Sequence, residues 1–395
     1  MSRFALTETI IVGGGPSGMM AALSSSLSGS GVTILEHSAA PGNKLLLSGG
    51  GRCNFTHACE ARDIVRLLGK RGRFIGHALA ALDPAATRNL FARLGVPSRI
   101  EADGRVVPVS ERATDVRLAL TDALSREGAR IRTGVDVTGI ERIGDRWRIL
   151  TAAQPFDADR VVLATGGMSF PSTGSDGSGY TLARSIGHSV VHPVPGEVPL
   201  LTTGFPLDRL QGLTVEGVEL SVVGCKLPRR RGNVLFTHFG LSGPAVLDIS
   251  ADVAELLAGG REVTLQINLL PDVDEDIIAQ ALDGGPGSLR RLMPSRLAAL
   301  VHESASVANA RERVETVRCL KVRIARTRGF DHAMVTRGGV SLTEVDPATM
   351  SSRLADGLYF AGELLDLDGP MGGFNLQMAW STGWLAGRSA AARGT

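Results

Sequence analysis

A glycine-rich turn near the start of the chain has the spacing that binds a phosphate group. Gly13, Gly15 and Gly18 follow a short apolar run and precede a segment of small residues that suits a helix. In such a motif the first glycine permits a tight turn, the second lets the backbone approach a pyrophosphate, and the third lets helix and strand pack closely. The predicted helix runs from Ser17 to about Ser28, and its N-terminus would hold the negative charge. The pattern predicts a dinucleotide-binding turn, and a glycine turn without a ligand is the alternative.

An acidic residue follows at the distance that this motif requires. Glu36 ends the predicted second strand, Val32 to Glu36, about 20 residues after the glycines, where a carboxylate binds the ribose diol of a dinucleotide. Strand, glycine turn, helix, strand and acid form the first unit of a parallel sheet. The sequence therefore predicts an α/β protein with a Rossmann-type dinucleotide-binding domain.

The remaining order of elements indicates a flavin. A nicotinamide-binding Rossmann domain would continue through further βαβ units, whereas here a long glycine-rich loop, Pro41 to His57, comes next. A small β-meander is predicted from Arg130 to Thr151. A buried strand, Arg160 to Ala164, then ends in Thr165-Gly166-Gly167. This order is typical of flavoproteins that bind FAD non-covalently.

The end of the chain fits the same interpretation. A strand is predicted over Gly357 to Glu363, followed by a closing helix from about Asn375 to Ala391. We expect the strand to place Gly362 and Glu363 near the flavin, and the positive end of the helix to face the reduced ring. The residues predicted to bind the cofactor are Gly13, Gly15, Pro16, Ser17, Gly18, Glu36, Lys44, Gly50, Gly51, Arg52, Cys53, Asn54, Thr165, Gly166, Gly362, Glu363, Gly373, Phe374 and Asn375.

Five longer motifs carry a resemblance to a known family. The segments SGGGRCNFTH, ATGGMSFPSTGSDGSGY, LFTHFGLSGPAVL, MVTRGGVSLTEVDPATM and GLYFAGELLDLDGPMGGFNLQMAWSTGWLAG resemble those of the HI0933-type (BaiN/RdsA) flavoprotein oxidoreductases, from about Ile10 to Gly387. The resemblance implies a glutathione-reductase-like FAD core interrupted by an inserted domain of strands and helices. It also implies NAD(P)H-linked reduction of conjugated double bonds in steroid-like substrates, or amine oxidation.

The chain departs from that family at two places. Glu197 stands where the family usually has an apolar residue, and Pro370-Met371 with Phe374 stand where it usually has a polar pair and a tyrosine. Both departures affect which substrate the protein would accept.

A change in composition marks a domain boundary. Three prolines lie between His192 and Leu200, and the segment that follows mixes strands with helices. We expect a discontinuous FAD-binding domain, residues 1–190 and 336–395, and an inserted substrate or cap domain, residues 191–335.

Two side chains in the insertion are candidates for catalysis. His238 is either a general acid or a hydrogen-bonded residue that caps the helix after GLSGP. Glu197 lies at the crossing into the insertion, where it either faces a substrate cleft or points into solvent. Cys53 and Cys59 are six residues apart, which favours packing of Cys53 in the flavin loop over a redox pair.

The sequence predicts an FAD enzyme that moves a hydride to or from a small, largely apolar substrate. NAD(P)H-dependent reduction of an activated C=C bond leads an amine or alcohol oxidase. Because there is no second nucleotide-binding unit, NADH or NADPH would visit transiently. A flavin-dependent RNA-modifying protein is disfavoured by the net charge of only +2, from 42 basic and 40 acidic residues.

Composition sets the remaining expectations. No run of about 18 apolar residues occurs, so no membrane contact is expected. The four cysteines lack metal-ligand spacing and the start of the chain lacks a signal peptide, so we expect a cytoplasmic protein without a metal. The oligomeric state is left open.

Overall fold

The computed structural model describes residues 7–305 and 310–392 of the chain. It divides into two compact units. One comprises the residues up to Pro193 and those from Val335 onward, and the other is Val194–Met334. These limits lie beside the expected ones, and the role of the second unit as a substrate or cap domain stays a prediction.

The elements follow one another in this order. The first unit begins with β1 (Glu8–Val12), α1 (Pro16–Leu27), β2 (Gly31–Glu36), β3 (Thr56–His57), α2 (Ala61–Leu67), α3 (Gly72–Ala81), α4 (Pro84–Arg93), β4 (Ser98–Ile100), β5 (Arg105–Pro108), α5 (Ala113–Arg126), β6 (Arg130–Thr133), β7 (Val137–Ile143), β8 (Arg146–Thr151), β9 (Phe156–Ala158), β10 (Arg160–Leu163), α6 (Ser178–Ser185) and β11 (Val190–Gly196). The second unit contains β12 (Leu200–Thr203), α7 (Leu207–Leu210), β13 (Thr214–Val222), β14 (Arg230–Phe236), β15 (Gly240–Ser242), α8 (Pro244–Ala258), β16 (Val263–Asn268), α9 (Glu275–Asp283), α10 (Pro286–Leu289), α11 (Ser295–Ala305), α12 (Ala310–Arg318) and β17 (Leu320–Thr327). The chain then returns to the first unit with β18 (Val335–Val340), β19 (Leu358–Phe360) and α13 (Phe374–Ala391).

A parallel five-stranded sheet forms the centre of the first unit. Its strand order is β19-β10-β1-β2-β6. β1 and β10 are almost continuous runs of buried apolar residues, as expected for strands that are covered on both faces. The loops that follow β19, β10, β1 and β2 therefore leave from the same edge of the sheet.

The expected β-meander is only partly right. The segment Arg130 to Thr151 does not form one sheet, because β6 pairs in parallel with β2, with Ile131 beside Ile34. The meander consists of β7, β8 and β9. Helix α5 lies between β2 and β6 and provides the crossover that a parallel pair requires. β6 is a mostly exposed edge strand, so its side-chain pattern does not distinguish the two sheets.

The second unit has its own sheet and its own core. Its six strands close into a barrel in the order β12-β15-β14-β13-β16-β17, and its buried apolar residues form a separate cluster. No strand of this barrel joins the parallel sheet among the described residues. The chain leaves the first unit through β11 and returns through β18, and these two strands pair with each other.

Helices α1 and α13 pack closely through glycines. A Cβ atom placed on Gly383 would lie 2.2 Å from the carbonyl oxygen of Ser17, and one on Gly387 would lie 2.0 Å from that of Ala21. These distances are shorter than any real contact, so both positions require glycine. The last helix is thereby held against the helix that begins at the glycine turn.

We predict opposite effects for two glycine-to-alanine substitutions in helices. Gly387→Ala should lower the free energy of unfolding by about 1–3 kcal/mol, because the new methyl group forces α1 and α13 apart. Gly76→Ala in α3 is the matched control, since a Cβ there meets no atom within 4 Å, and it should raise stability by about 0.5–1 kcal/mol. Chemical denaturation of both variants checks this. Equal stability of the two variants would contradict the close packing.

Candidate functional site

The three glycines of the first turn have different surroundings. Gly13 has a φ of +104°, and a Cβ atom on it would lie 2.5 Å from the carbonyl oxygen of Ala164. A Cβ on Gly18 would lie 1.9 Å from the carbonyl oxygen of Gly13, whereas one on Gly15 would meet no atom of the described residues within 4 Å. The packing of the protein itself therefore requires the first and third glycines. The second faces open space, as a ligand close to the backbone would require.

The start of α1 is free to bind an anion. Its N-cap is Gly15, Pro16 is its first residue, and Ser17 is buried. No side chain of residues 7–305 or 310–392 caps the helix, and its first turn contains no acidic residue. The first N–H groups of the helix therefore have no side-chain acceptor, and the positive end of the helix dipole adds to their attraction for a phosphate.

Glu36 is buried at the end of β2 and connects the strand to the turn. One carboxylate oxygen accepts a hydrogen bond from the Gly14 N–H at 2.6 Å, and the other accepts one from the Ser38 N–H at 2.7 Å. Glu36 thus fixes the glycine turn, and each oxygen keeps a lone pair for a further donor such as a ribose hydroxyl.

A half-buried ion pair connects three of the loops at this edge of the sheet. Lys44 Nζ lies 2.8 Å from Glu363 Oε2 and donates to Ser169 Oγ at 2.6 Å. Ser169 in turn donates to Glu363 Oε1 at 2.7 Å, and the Thr336 N–H donates to the same oxygen at 2.9 Å. The sequence predicted Lys44 and Glu363 as site residues but missed Ser169 and Thr336. Ser169 follows the ATGG motif, which was the available signal.

In the loop from Gly49 to Asn54, it is mainly the backbone that is accessible to a ligand. A Cβ on Gly50 would meet no neighbour within 4 Å, and one on Gly51 would have only a single carbonyl oxygen at 3.9 Å. Arg52 forms an ion pair with Glu101 at 2.7 Å. Cys53 is fully buried, and burial raises the pKa of its thiol to about 12. The Cys53 side chain therefore packs inside the loop, as expected, whereas the Arg52 side chain is partly exposed and held by Glu101.

The last helix begins beside this loop. α13 starts at Phe374, one residue earlier than expected, with Gly373 as its N-cap. In the amide orientation that satisfies its neighbours, Asn54 donates to the Thr56 carbonyl at 3.0 Å and accepts from the Gly373 N–H at 3.1 Å. The Phe374 ring stacks on His57 with 4.6 Å between ring centroids. The start of α13 is thus joined to the glycine-rich loop.

Asn375 shapes the turn that precedes α13. Its amide oxygen accepts from the Gly369 N–H at 2.8 Å, and its amide nitrogen donates to the Gly369 carbonyl at 2.9 Å. The side chain expected to bind the cofactor therefore closes the 369–375 loop.

A charged network that the sequence did not predict supports the same loop. Asp368 is buried and receives one bond from Arg71 at 2.9 Å and one from Arg337 at 2.9 Å. Arg71 also pairs with Asp366 at 3.1 Å. Burial raises the pKa of Asp366, against the opposing effect of the Arg71 charge. Two acids in the segment LLDLDGP, directly before a glycine turn, were the overlooked signal.

The loop after β10 contains an unsatisfied polar atom. Thr165 Oγ1 is buried and has no hydrogen-bond partner among the described residues. Its neighbour Gly166 has a φ of +78°. Across the same edge, the Gly362 N–H donates to Thr382 Oγ1 at 2.9 Å. The Thr165 hydroxyl lies against Gly179 of α6, since a Cβ atom on Gly179 would lie 1.8 Å from it, so it belongs to the packing of the first unit.

The structure places the two catalytic candidates in the second unit. His238 is exposed in the turn between β14 and β15, where its ring lies edge-on to Phe239. The N-cap of α8 is Gly243, and no side chain among the described residues caps that helix, which does not support the alternative in which His238 caps it. Glu197 is half-buried with a φ of +47°, and its carbonyl accepts from the Met334 N–H at 3.3 Å.

Comparison with known proteins decides the family. The family model described as the HI0933-like protein Rossmann domain matches residues 7–389. The chain belongs to the HI0933-like family. Two relatives extend over nearly its whole length. It is 37% identical to the 3-dehydro-bile acid delta(4,6)-reductase of Clostridium scindens, over 97% of this chain and 98% of that protein. It is 31% identical to the ribosomal RNA dihydrouridine synthase of Escherichia coli, over 97% of each.

Solved structures agree with the HI0933-like fold. The 3-ketosteroid delta1-dehydrogenase of Sterolibacterium denitrificans matches with a TM-score of 0.55 at 12% identity, over 98% of this chain and 99% of that one. At this identity the match shows the fold alone. The predicted Rossmann-type α/β fold is confirmed.

Membership of the HI0933-like family also confirms the predicted class, an FAD-dependent oxidoreductase. The residues predicted to bind FAD all lie in the first unit. The glycine turn and the Lys44–Glu363 ion pair lie at one edge of the parallel sheet, and the start of α13 lies beside the adjoining glycine-rich loop. Within the described part of the chain, no helix is long and apolar enough to cross a membrane. No group of potential metal ligands occurs among the same residues.

A substitution at Gly15 should separate cofactor binding from folding. Gly15→Ala should leave the melting temperature of FAD-free protein unchanged, because the methyl group enters open space. It should weaken FAD binding about tenfold or more, because that space adjoins the N–H groups at the start of α1. Gly13→Ala is the contrasting variant and should lower the melting temperature itself. Fluorescence titration with FAD measures the affinity, and wild-type affinity in Gly15→Ala would contradict the assignment.

Proposed function

We propose that this protein is an NAD(P)H-dependent reductase of a C=C bond conjugated to a carbonyl group, acting on a small, largely apolar molecule. The proposal rests on the combination of two observations. The dinucleotide-type glycine turn leads into a helix whose N-terminus has no side-chain cap among the described residues, and the chain is 37% identical to a named reductase over 97% of its length. A 3-dehydro delta(4,6) bile acid contains such a conjugated system. Bound FAD, once reduced by NAD(P)H, would supply a hydride to one carbon of the double bond, and a proton at the other carbon would complete the reduction.

The residues of the first unit each have a part in holding the cofactor. The N–H groups at the start of α1 would bind the pyrophosphate, and Glu36 would bind the ribose. The Lys44–Glu363 pair would bind the polar chain that leads to the flavin ring. The backbone of Gly50 to Asn54 and the N-terminus of α13 would face the ring, where a positive helix end favours negative charge.

The loop before α13 is rigid enough to define one side of a substrate site. Asp368 is held by two arginines, and Asn375 closes the loop from the other end. Pro370, Met371 and Phe374 lie in or next to this loop, and all three have largely apolar side chains. A rigid apolar surface beside the flavin suits an apolar substrate better than a charged one.

The electron donor is part of the proposal. Only one strand-glycine-helix unit of the dinucleotide type is present in the sequence, so NADH or NADPH would bind transiently. Such a donor is abundant in the cytoplasm, where we place the protein. The four cysteines are free, which is consistent with a reducing compartment.

A second candidate function rests on a different relative. The Escherichia coli protein at 31% identity is named for dihydrouridine synthesis in ribosomal RNA. Uridine also contains a C=C bond conjugated to a carbonyl group, so the chemistry at the flavin would be the same. The two candidates differ only in the molecule that presents the double bond.

The charge of the second unit favours the small molecule. Residues 194–334 contain 16 basic and 17 acidic side chains, a net charge of −1. A protein that follows an RNA backbone needs basic side chains that are free to contact phosphates. Seven arginines of this unit are instead paired with carboxylates: Arg209–Glu303, Arg229–Glu219, Arg230–Asp252, Arg231–Asp272, Arg313–Asp283, Arg318–Glu275 and Arg323–Glu262.

Anaerobic stopped-flow spectroscopy tests the proposed function. NADH or NADPH should bleach the flavin absorbance of the purified protein, and steady-state turnover should follow when a conjugated steroid ketone is added. Turnover with ribosomal RNA and none with the ketone would favour the second candidate. Bleaching by amines or alcohols, with no bleaching by either nicotinamide, would contradict both and support an oxidase.

Glu197 provides a test of substrate choice. A left-handed backbone at a residue other than glycine is strained, and such strain is concentrated at functional sites. We predict that Glu197→Gln retains FAD and its melting temperature but lowers kcat/KM at least about tenfold, or about 1.4 kcal/mol of transition-state stabilisation. Glu216→Gln, at an exposed glutamate of the same unit, is the control. Unchanged kinetics in Glu197→Gln would contradict a role in the site.

A further inference from the structure

An exposed cluster on the barrel of the second unit combines aromatic and basic groups. The guanidinium carbon of Arg328 lies 4.4 Å from the ring centroid of Phe239. The ring of His238 lies on the edge of the same phenyl ring, with 5.0 Å between centroids at an angle of 84°. Phe239 is half-buried, whereas the other two side chains are exposed. The phenyl ring thus holds a flat cation and an imidazole at the surface.

The backbone around this cluster is firmly fixed. The turn that contains His238 and Phe239 is closed by Thr237, whose hydroxyl accepts from the N–H groups of Phe239 at 3.3 Å and Gly240 at 3.1 Å. The Arg328 N–H donates to the Pro199 carbonyl at 3.0 Å. The backbone that carries both planar groups is therefore fixed before any ligand arrives.

A second arginine lies close by. Leu201 of β12 pairs with Arg326 of β17 on one side and with Gly240 of β15 on the other. Neighbouring strands are about 4.8 Å apart, so Arg326 lies two strand spacings from the turn, and it is exposed. We call His238, Phe239, Arg326 and Arg328 the platform.

Among the described residues, the two arginines of the platform have no carboxylate partner, in contrast to a third arginine, in β17. Arg323, on the same strand, is paired with Glu262. Within residues 7–305 and 310–392, neither Arg326 nor Arg328 forms an ion pair with a carboxylate. The Arg328 guanidinium on the Phe239 ring provides a stacking surface for a base. Together with the second unpaired guanidinium, that of Arg326 in β17, it also provides donors for a phosphate.

We infer that the platform binds a nucleotide, with the base stacked on Arg328 or His238 and the phosphate bound by Arg326 and Arg328. Two molecules could supply this nucleotide: the adenylate part of NAD(P)H, or one residue of a single-stranded RNA. The inference deepens the proposed function, on which it rests, by assigning residues to its donor or to its RNA substrate. The small size of the platform and the net charge of −1 of this unit favour the adenylate.

Isothermal titration calorimetry with the full-length, FAD-loaded protein tests whether the platform binds a nucleotide. The probes are 5′-AMP and 2′,5′-ADP for the donor, and a short uridine-rich oligoribonucleotide for RNA. Arg328→Gln and Phe239→Leu should each weaken binding about tenfold. Arg323→Gln is the matched control, since it removes an arginine of the same strand outside the platform, and it should bind as the wild type does.

The three possible outcomes lead to different conclusions. If the adenylates bind and both substitutions weaken that binding, the ligand is the nicotinamide donor, and both variants should show a higher KM for NAD(P)H with kcat unchanged. Binding of the oligoribonucleotide alone identifies RNA. No binding of any probe to the wild type, or equal binding by the variants, overturns the inference. The proposed function is tested separately, because protein reduced with dithionite needs no added NAD(P)H to reduce a conjugated steroid ketone. Failure of that reaction would count against the proposed function and not against the platform.

Discussion

The close passage of the chain at Gly13 determines the arrangement of the first unit. The turn after β1 lies so near the Ala164 carbonyl that no side chain fits between them. β1 and β10 must therefore end at the same level, and α1 must begin directly above the sheet. The loops after β19, β10, β1 and β2 then meet at one edge, as ligand sites do in open parallel sheets. Everything proposed for the cofactor depends on that edge.

The last helix completes this edge because it is tied to the first. Gly383 and Gly387 let α13 lie directly on the backbone of α1. Buried polar contacts hold its other side, where Gln377 accepts from Thr56 and donates to the Leu82 carbonyl. The N-terminus of α13 is thus positioned from two directions, which is what a helix end must have if it is to stabilise charge on a bound ring.

The sequence predicted the parts of the fold that local pattern determines. The first strand, the glycine turn, α1, β2 and Glu36 lie within 29 residues, from Glu8 to Glu36, and each follows from its neighbours along the chain. The pairing of β6 with β2 did not follow, because an exposed edge strand shows no pattern that selects its partner. The start of α13 differed by one residue, since Phe374 is as good a first helical residue as Asn375.

Side-chain partners in the site were harder to predict, because they depend on distant segments. Lys44 meets Glu363 across 319 residues, and Arg71 meets Asp368 across 297. No rule of sequence spacing applies to such distant pairs. The sequence therefore indicated Lys44 and Glu363 as separate site residues but did not predict that they form an ion pair. Arg52 and Asn375 were nominated for the cofactor, yet their side chains also have protein partners. The family resemblance identified the enzyme class. The geometry showed which of the nominated side chains already bind other parts of the protein.

The most direct test of the central claim is a single turnover without any nicotinamide. Protein whose FAD has been reduced with dithionite is mixed anaerobically with a steroid ketone that contains a conjugated C=C bond, and the flavin absorbance and the product mass are followed. We expect the absorbance to return in step with the formation of a product that has gained two hydrogen atoms. A reduced flavin that stays reduced with this ketone and with uridine-containing RNA, and is reoxidised only by oxygen, would contradict it.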